Sequence, residues 1–304
     1  MKRDFLTLSD AGPQGIEHLL DSAAHLHRTR GTPEHPRPML GRSAALLFDK
    51  SSTRTRVSLE LAVYELGGHP VVISADGSHI GRGEPPADTA RVLARLVDVI
   101  TYRTFESERL LEMARASQVP VVNALTDEAH PLQLLADLYT VRAVRGTVHD
   151  LKYVWVGDGN NMARSWLEAA GLLQLQLVLA CPEGFEPPRA EIDAARRAGA
   201  QVVLIDDPER ACEGADVIST DVWVSMGQER DSERRRRAFN GFCVNAKMVG
   251  VAAEDVVVLH CLPAHRGEEI DADVIDGPRS FVWDEAEARL HTSKAVLAWV
   301  LEPR

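Results

Sequence analysis

Short apolar runs with strand composition alternate with amphipathic helical runs along nearly the whole chain, and the alternation occurs twice. Parallel βαβ units produce that order, because each strand reaches the next through a helix, and such units build open sheets covered on both faces. In the first half the strand runs are 44–48, 70–74, 98–102 and 119–123, with helical runs near 53–66, 87–97 and 106–116. In the second half the strand runs are 152–156, 176–180, 201–205, 215–219 and 256–259. The pattern predicts an α/β chain of two doubly wound parallel-sheet domains joined by interdomain helices. Pro131 to Arg145 is the expected bridge, its apolar stripe of Leu134, Leu135, Leu138 and Val141 ending before Gly146. A last helix, Glu285 to Leu301, is expected to pack back onto the first domain. The predicted division is therefore 1–145 together with 285–304, and 146–284, and 304 residues are enough for two buried cores.

Ligands of open parallel sheets bind beyond the strand C-termini, so chemistry should gather there. After the first strand comes Ser51-Ser52-Thr53-Arg54-Thr55-Arg56, on the way into a helix that stops at Gly67-Gly68. Four unpaired amides and the positive end of the helix dipole attract an anion at such a start, and hydroxyls with two guanidinium forks complete the site. A lone Ser-Thr-Arg is more often a helix cap followed by solvated charge; an unbroken run of hydroxyl and guanidinium residues reverses those odds.

Four further clusters follow strand ends. Arg103 comes directly after Val99-Ile100-Thr101-Tyr102, where a guanidinium would complete a phosphate clamp. His130-Pro131-Leu132-Gln133 places an imidazole and an amide one turn apart on one helix face. Gly157-Asp158-Gly159-Asn160-Asn161 follows another strand and suggests a dinucleotide turn, but Met162 replaces the third glycine, which weakens a nicotinamide oxidoreductase reading. The last cluster joins Asp221 and Ser225-Met226-Gly227 to His260-Cys261-Leu262-Pro263. Taken singly, each has a plain structural reading: a surface Arg, a capping His, a small core Cys.

A formal charge of −11 argues against nucleic acid or acidic membrane as partner, so anion binding must be local. The one basic block, Arg234 to Arg237, follows Glu229, Asp231 and Glu233 and reads as a solvated, self-paired helix face. Four widely spaced cysteines without a C-x-x-C pair point to a reducing compartment and away from structural zinc. The N-terminus lacks the apolar stretch of an export signal, and no run approaches the roughly 18 apolar residues of a membrane span. A cytoplasmic protein is expected.

Together these residues identify the chain as similar to the aspartate/ornithine carbamoyltransferase family, on its ornithine branch. Phe48 to Arg56 resembles the carbamoyl-phosphate loop, and His130-Pro131-Leu132-Gln133 resembles the H-P-x-Q motif. Asp221 with Ser225-Met226-Gly227, His260-Cys261-Leu262-Pro263 and Asp284 to Arg289 resemble the ornithine-branch motifs. Pro85-Pro86, in the loop before Asp88-Thr89-Ala90, departs from the pattern.

The resemblance implies carbamoyl transfer from carbamoyl phosphate to L-ornithine, giving L-citrulline and phosphate, with no metal or organic cofactor. It implies that Ser52, Thr53, Arg54, Thr55 and Arg103 hold the phosphate, and that Thr55, Arg103 and His130 face the carbamoyl oxygen. Gln133, Arg289 and the Cys261 and Leu262 carbonyls would orient the carbamoyl group. Asn161, Asp221, Ser225 and Met226 would grip ornithine, with Asp221 and Cys261 beside its side-chain amine. It further implies a homotrimer with sites at subunit interfaces, His79 reaching a neighbour's carbamoyl phosphate. A carbamoyltransferase for another amine shares the phosphate half, and Ser225-Met226-Gly227 argues against it. A silent ligand-binding paralogue is expected to have lost Arg54, Arg103, His130 or Cys261, and all four are present.

Overall fold

The computed structural model describes residues 2–74, 83–225 and 229–302. The expected site residues His79 and Met226 lie outside them. The chain forms two compact units, one of Met1–Tyr139 with Glu287–Arg304, the other of Thr140–Ala286.

The first unit contains α1 (Gly12–Arg28), β1 (Ser43–Phe48), α2 (Thr53–Glu65), β2 (His69–Ser74), α3 (Pro86–Leu93), β3 (Val99–Arg103), α4 (Ser107–Ala116) and β4 (Val121–Leu125). Its strands are all parallel, in the order β2-β1-β3-β4. α5 (Pro131–Arg145) runs across the unit boundary. The second unit continues with β5 (Lys152–Val156), α6 (Asn161–Leu173), β6 (Gln176–Ala180), α7 (Arg189–Arg197), β7 (Gln201–Ile205), α8 (Pro208–Cys212) and β8 (Val217–Thr220). It ends with α9 (Ser232–Ala238), α10 (Ala246–Val251), β9 (Val257–His260) and α11 (Ala272–Ile275), and α12 (Val282–Leu301) crosses the second boundary. The second sheet is also parallel throughout, in the order β7-β6-β5-β8-β9. The doubly wound α/β prediction is met.

Local chemistry explains most element ends. α1 buries Ile16, Leu19, Leu20, Ala23 and Leu26, the three-and-four spacing of a single face. α2 begins at the N-cap Ser52 and closes where Gly67, at φ 87, lets its amide return to Tyr64 O while Gly68 N returns to Val63 O. α3 begins at Pro86, so the second proline lies inside the helix and not in the preceding loop. Its fixed φ suits the first helical position, where no amide partner is needed. α3 also stops at Leu93, four residues short of the predicted end.

Each unit has its own core. In the first, Leu47, Ile100, Tyr102, Leu110, Met113 and Val121 pack together. There Phe5 meets Trp299 edge to face at 6.1 Å, and the Arg3 guanidinium lies 4.5 Å above the same indole. The second core joins sheet residues Val154, Val156 and Ile218 to Trp223, Phe239 and Phe242.

The basic block departs from its prediction. Arg234 pairs with Asp231 as expected of a surface helix, but Arg235 is buried and makes a 2.8 Å ion pair with Asp158. Among the described residues, no helix is long and apolar enough to cross a membrane.

Candidate active site

In the first sheet the order reverses between β1 and β3, whose ends align at Phe48 and Arg103. A crevice for a ligand opens at such a reversal. The backbone continues the alignment one residue further, Asp49 N donating to Arg103 O at 2.8 Å. The next residues are committed to structure. Asp49 accepts from the Tyr102 hydroxyl at 2.5 Å and from Thr104 Oγ1 at 2.8 Å, and burial with that carboxylate pushes the Tyr102 phenol up to about 12. Lys50 is buried, pairs with Asp127 and lies 4.3 Å from the Phe105 ring centroid.

The anion loop follows. Ser52 Oγ caps α2 by accepting from Thr55 N at 3.2 Å, which leaves its hydroxyl proton to donate elsewhere. Thr55 is fully buried, and Arg289 Nη2 donates to its Oγ1 at 2.6 Å. Arg56 is not part of this set: it faces outward and pairs with Glu60 at 3.5 Å, so one of the two expected guanidinium forks points to solvent.

His130, just ahead of α5, is buried, and its basicity falls well below the ordinary histidine value. Burial is the main cause, followed by the charges of Arg289, Arg103 and Arg54. Three guanidinium charges thus act on one buried imidazole, an arrangement that attracts an anion. Gln133 Nε2 donates to Asp137 Oδ1 at 2.8 Å, one turn along α5, which orients the buried amide.

The second sheet reverses between β5 and β8, and the register sets Val156 beside Thr220 and Thr220 beside His260. The residues leaving those three strands therefore start side by side. Asp221 Oδ1 accepts from Val222 N at 2.8 Å and from Cys261 Sγ at 3.0 Å, while its Oδ2 accepts from Asn160 Nδ2 at 2.8 Å. Asn160 also caps α6, its Oδ1 accepting from Met162 N at 2.9 Å. Gly159 is required by packing: a Cβ there would sit 2.3 Å from Pro187 N. This accounts for Gly159 without a nucleotide.

His260 is fully enclosed and acts as a strut. Leu262 N donates to its Nδ1 at 2.8 Å, which places the ring proton on Nε2, 3.1 Å from Glu269 Oε1. Leu262 itself lies at φ 58, a conformation costly for a leucine, and this turn re-aims the chain directly after Cys261. Arg235 donates to Trp223 O at 2.8 Å as well as to Asp158, tying the turn after β5 to the chain leading to Ser225. Even so, burial holds the Asp158 carboxyl up at about 6.

The family models divide the chain in the same sense as these two clusters. The carbamoyl-P binding domain of aspartate/ornithine carbamoyltransferase matches residues 3–143, and the Asp/Orn binding domain matches residues 149–300. The chain belongs to the aspartate/ornithine carbamoyltransferase family. An ornithine carbamoyltransferase from Geobacter metallireducens is 50% identical over 305 residues, taking in 99% of this chain and 100% of the relative. One from Acidothermus cellulolyticus is 50% identical over 307 residues, with 99% and 97% covered. Among solved structures, ornithine carbamoyltransferase from Pyrococcus furiosus matches with a TM-score of 0.92 at 46% identity, covering 98% of this chain and 96% of that one. The ornithine carbamoyltransferase from Thermus thermophilus gives 0.90 at 43% identity, covering 99% and 100%.

Within this carbamoyltransferase chain, Arg54, Thr55, Arg103, His130 and Arg289 gather in the first unit, and Asp221 and Cys261 meet in the second. Asn160, the neighbour of the expected Asn161, touches Asp221. Sequence reasoning gave no site role to Asn160, Asp137 or Arg235. An Asn directly before a helix is a capping signal, and an acid four residues after Gln133 is a pairing signal; nothing local marks Arg235.

Proposed function

We propose that Arg54, Arg103, Arg289 and His130 bind carbamoyl phosphate and that the Asp221–Cys261 pair receives the side-chain amine of L-ornithine. The chain transfers the carbamoyl group to that amine, giving L-citrulline and phosphate, in arginine synthesis or breakdown. The observation that carries this assignment is the Arg289–Thr55 bond of 2.6 Å at the start of α2, beside a buried His130 whose basicity the charges of Arg289, Arg103 and Arg54 depress.

Carbamoyl phosphate brings a dianionic leaving group, which Ser52, Thr53, Arg54, Thr55 and Arg103 neutralise as the C–O bond breaks. The amine attacks the carbamoyl carbon, a C–N bond forms, and the former carbonyl oxygen carries the negative charge. Thr55, Arg103 and His130 donate to that oxygen. Gln133, Arg289 and the Cys261 and Leu262 carbonyls keep the roles the resemblance gives them, orienting the carbamoyl group.

A free alkylamine has a pKa near ~10, so it arrives as the ammonium, for which the Asp221 carboxylate is the natural partner. One proton must leave the ammonium before attack, because a protonated amine has no lone pair. A second leaves the nitrogen after the C–N bond has formed, and the departing phosphate is the base the reaction itself supplies for that one. Asn161, Ser225 and Met226 take the amino-acid end of ornithine. The domains of this reading are 1–145 with 285–304 for carbamoyl phosphate and 146–284 for ornithine.

The working assembly in this proposal is a homotrimer whose sites cross subunit boundaries through His79, in the cytoplasm. Four free cysteines support a reducing compartment. The test of substrate choice is citrulline-type product formation with a panel of amines. A site built to pair a carboxylate and an α-amino group rejects putrescine, which lacks both, by roughly two orders of magnitude or more in kcat/KM. Comparable values for putrescine and ornithine would overturn the ornithine assignment.

A further inference from the structure

Away from both strand-end clusters, the last turn of α1 meets α12 within the first unit. The rings of His27 and His291 stack there, their centroids 3.9 Å apart and their planes 12° from parallel. Glu287 precedes His291 by one helical turn and so shares its face. Its Oε1 lies 3.6 Å from His291 Nε2 and 3.9 Å from His27 Nε2, too far for hydrogen bonds. The three ligand atoms nonetheless fall within 4.8 Å of one another, and a tilt of the half-exposed His27 ring out of the stack is what brings both in-plane lone pairs onto one ion.

His291 is the second observation. It is fully buried, yet neither ring nitrogen makes a hydrogen bond, and a buried polar group left in that condition costs about 1–3 kcal/mol. His27 Nδ1, on its other side, lies 2.9 Å from the Tyr139 hydroxyl. If that nitrogen carries the proton, the Nε2 lone pair faces Glu287, as the outer partner of a metal-binding histidine arranges it.

We propose that His27, Glu287 and His291 form a binding site for a divalent transition-metal ion of the zinc and nickel class. The surrounding charges set the selectivity. Lys294 and Arg30 lie near the cluster, but Glu65 takes both, at 2.8 and 2.9 Å, and Arg30 stands 3.7 Å from Glu287. Two acids and two bases leave no excess negative charge to hold a hard cation, so affinity must come from the imidazoles. That favours zinc or nickel over magnesium or calcium, which need several oxygen ligands.

The experiment titrates Ni²⁺ into the full-length Cys261→Ser protein by calorimetry. This substitution removes the thiol from the other buried cluster, Asp221, His260 and Cys261. In that background His27→Asn and Glu287→Gln are compared with the parent. Both replaced side chains are about half exposed, and circular dichroism checks that each variant is folded. Each variant should bind Ni²⁺ at least ~10-fold more weakly, and Mg²⁺ should give no heat at the same concentrations. No binding by the parent, or an affinity in either variant within about twofold of it, overturns the proposal. The latter result would move any bound ion to a group such as His265, Glu268 and Glu269.

Discussion

Arg289 Nη2 and Thr55 Oγ1 are joined by a 2.6 Å hydrogen bond across 234 positions of sequence. Because the hydroxyl oxygen accepts from the guanidinium, its own proton is directed away, which suits the donor role proposed for Thr55. The same guanidinium is one of the charges that hold His130 neutral. One residue of α12 thus acts on both a hydroxyl of α2 and the imidazole at the start of α5.

The first prediction concerns the anion site. Arg103→Ala should lower kcat by about 10² to 10³, the usual cost of removing one donor to a developing oxyanion. Arg289→Lys, which keeps the charge but loses the planar fork, should lower kcat/KM by roughly tenfold or more. Steady-state kinetics with carbamoyl phosphate varied at saturating ornithine decide both. If Arg103→Ala raises KM and leaves kcat unchanged, the oxyanion role is wrong.

The second concerns pH. The folded His130 binds its proton well below the ordinary value of 6.5, whereas the unfolded chain binds it near that value. Below 6.5 the unfolded state therefore holds more protons. The stability this group contributes is complete above that pH and falls as pH drops below it, by about 1.4 kcal/mol per pH unit. Asp158 works in the opposite sense: with its carboxyl raised from 3.8 to about 6, its contribution is present below 3.8 and is lost as pH rises through 6. Comparing His130→Gln with the parent cancels the Asp158 term. Urea unfolding between about pH 5 and 7.5 should show a shallower acid limb in the variant, and parallel limbs would refute the assignment.

Much of this was legible along the chain because parallel strands buried on both faces read as unbroken apolar runs. β5, β6 and β7 fall on their predicted residues for that reason. The start of α2 was legible because Ser52 is a strong capping residue placed directly before an apolar helical pattern. Arg235 was not, since a charged run is judged by its neighbours and its partner Asp158 is brought in only by the sheet. The Glu287 and His291 spacing is visible on one helix, but His27 joins them only once α1 packs on α12. Asn160 and Asn161 are identical in type, and only the folded chain shows that Asn160 both caps α6 and bonds Asp221.

That assignment supports a third prediction. Asn160→Ala removes both an α6 cap and a donor to Asp221, so it should cost about 1 kcal/mol of stability and also raise KM for ornithine. Asn161→Ala should raise KM without the stability loss. Thermal unfolding alongside kinetics separates the two, and equal destabilisation by both would contradict the capping geometry.

A fourth prediction follows from the buried Arg235–Asp158 pair. Arg235→Met strands a buried carboxylate and removes the donor to Trp223 O, a loss of about 3–5 kcal/mol. Adding Asp158→Asn removes the stranded charge, so the double variant should recover part of the loss. Denaturant unfolding of all four proteins measures the coupling, expected at about 1 kcal/mol or more. Strict additivity would mean that the pair is not energetically joined.

The last prediction tests the proposed trimer. In a cyclic trimer with shared sites, each site uses Arg54 from one subunit and His79 from the next. Arg54→Ala and His79→Ala should each be nearly inactive, because every site of a pure trimer lacks one of the two groups. In a mixed trimer, passing once around the ring meets a single place where a subunit with intact Arg54 is followed by one with intact His79. One complete site is therefore restored in every mixed assembly, whichever variant is in the majority. Refolding the two variants together should recover activity that neither shows alone, up to about one third of the parental rate per mixed trimer. If mass spectrometry confirms mixed trimers and no activity returns, His79 does not complete a neighbour's site.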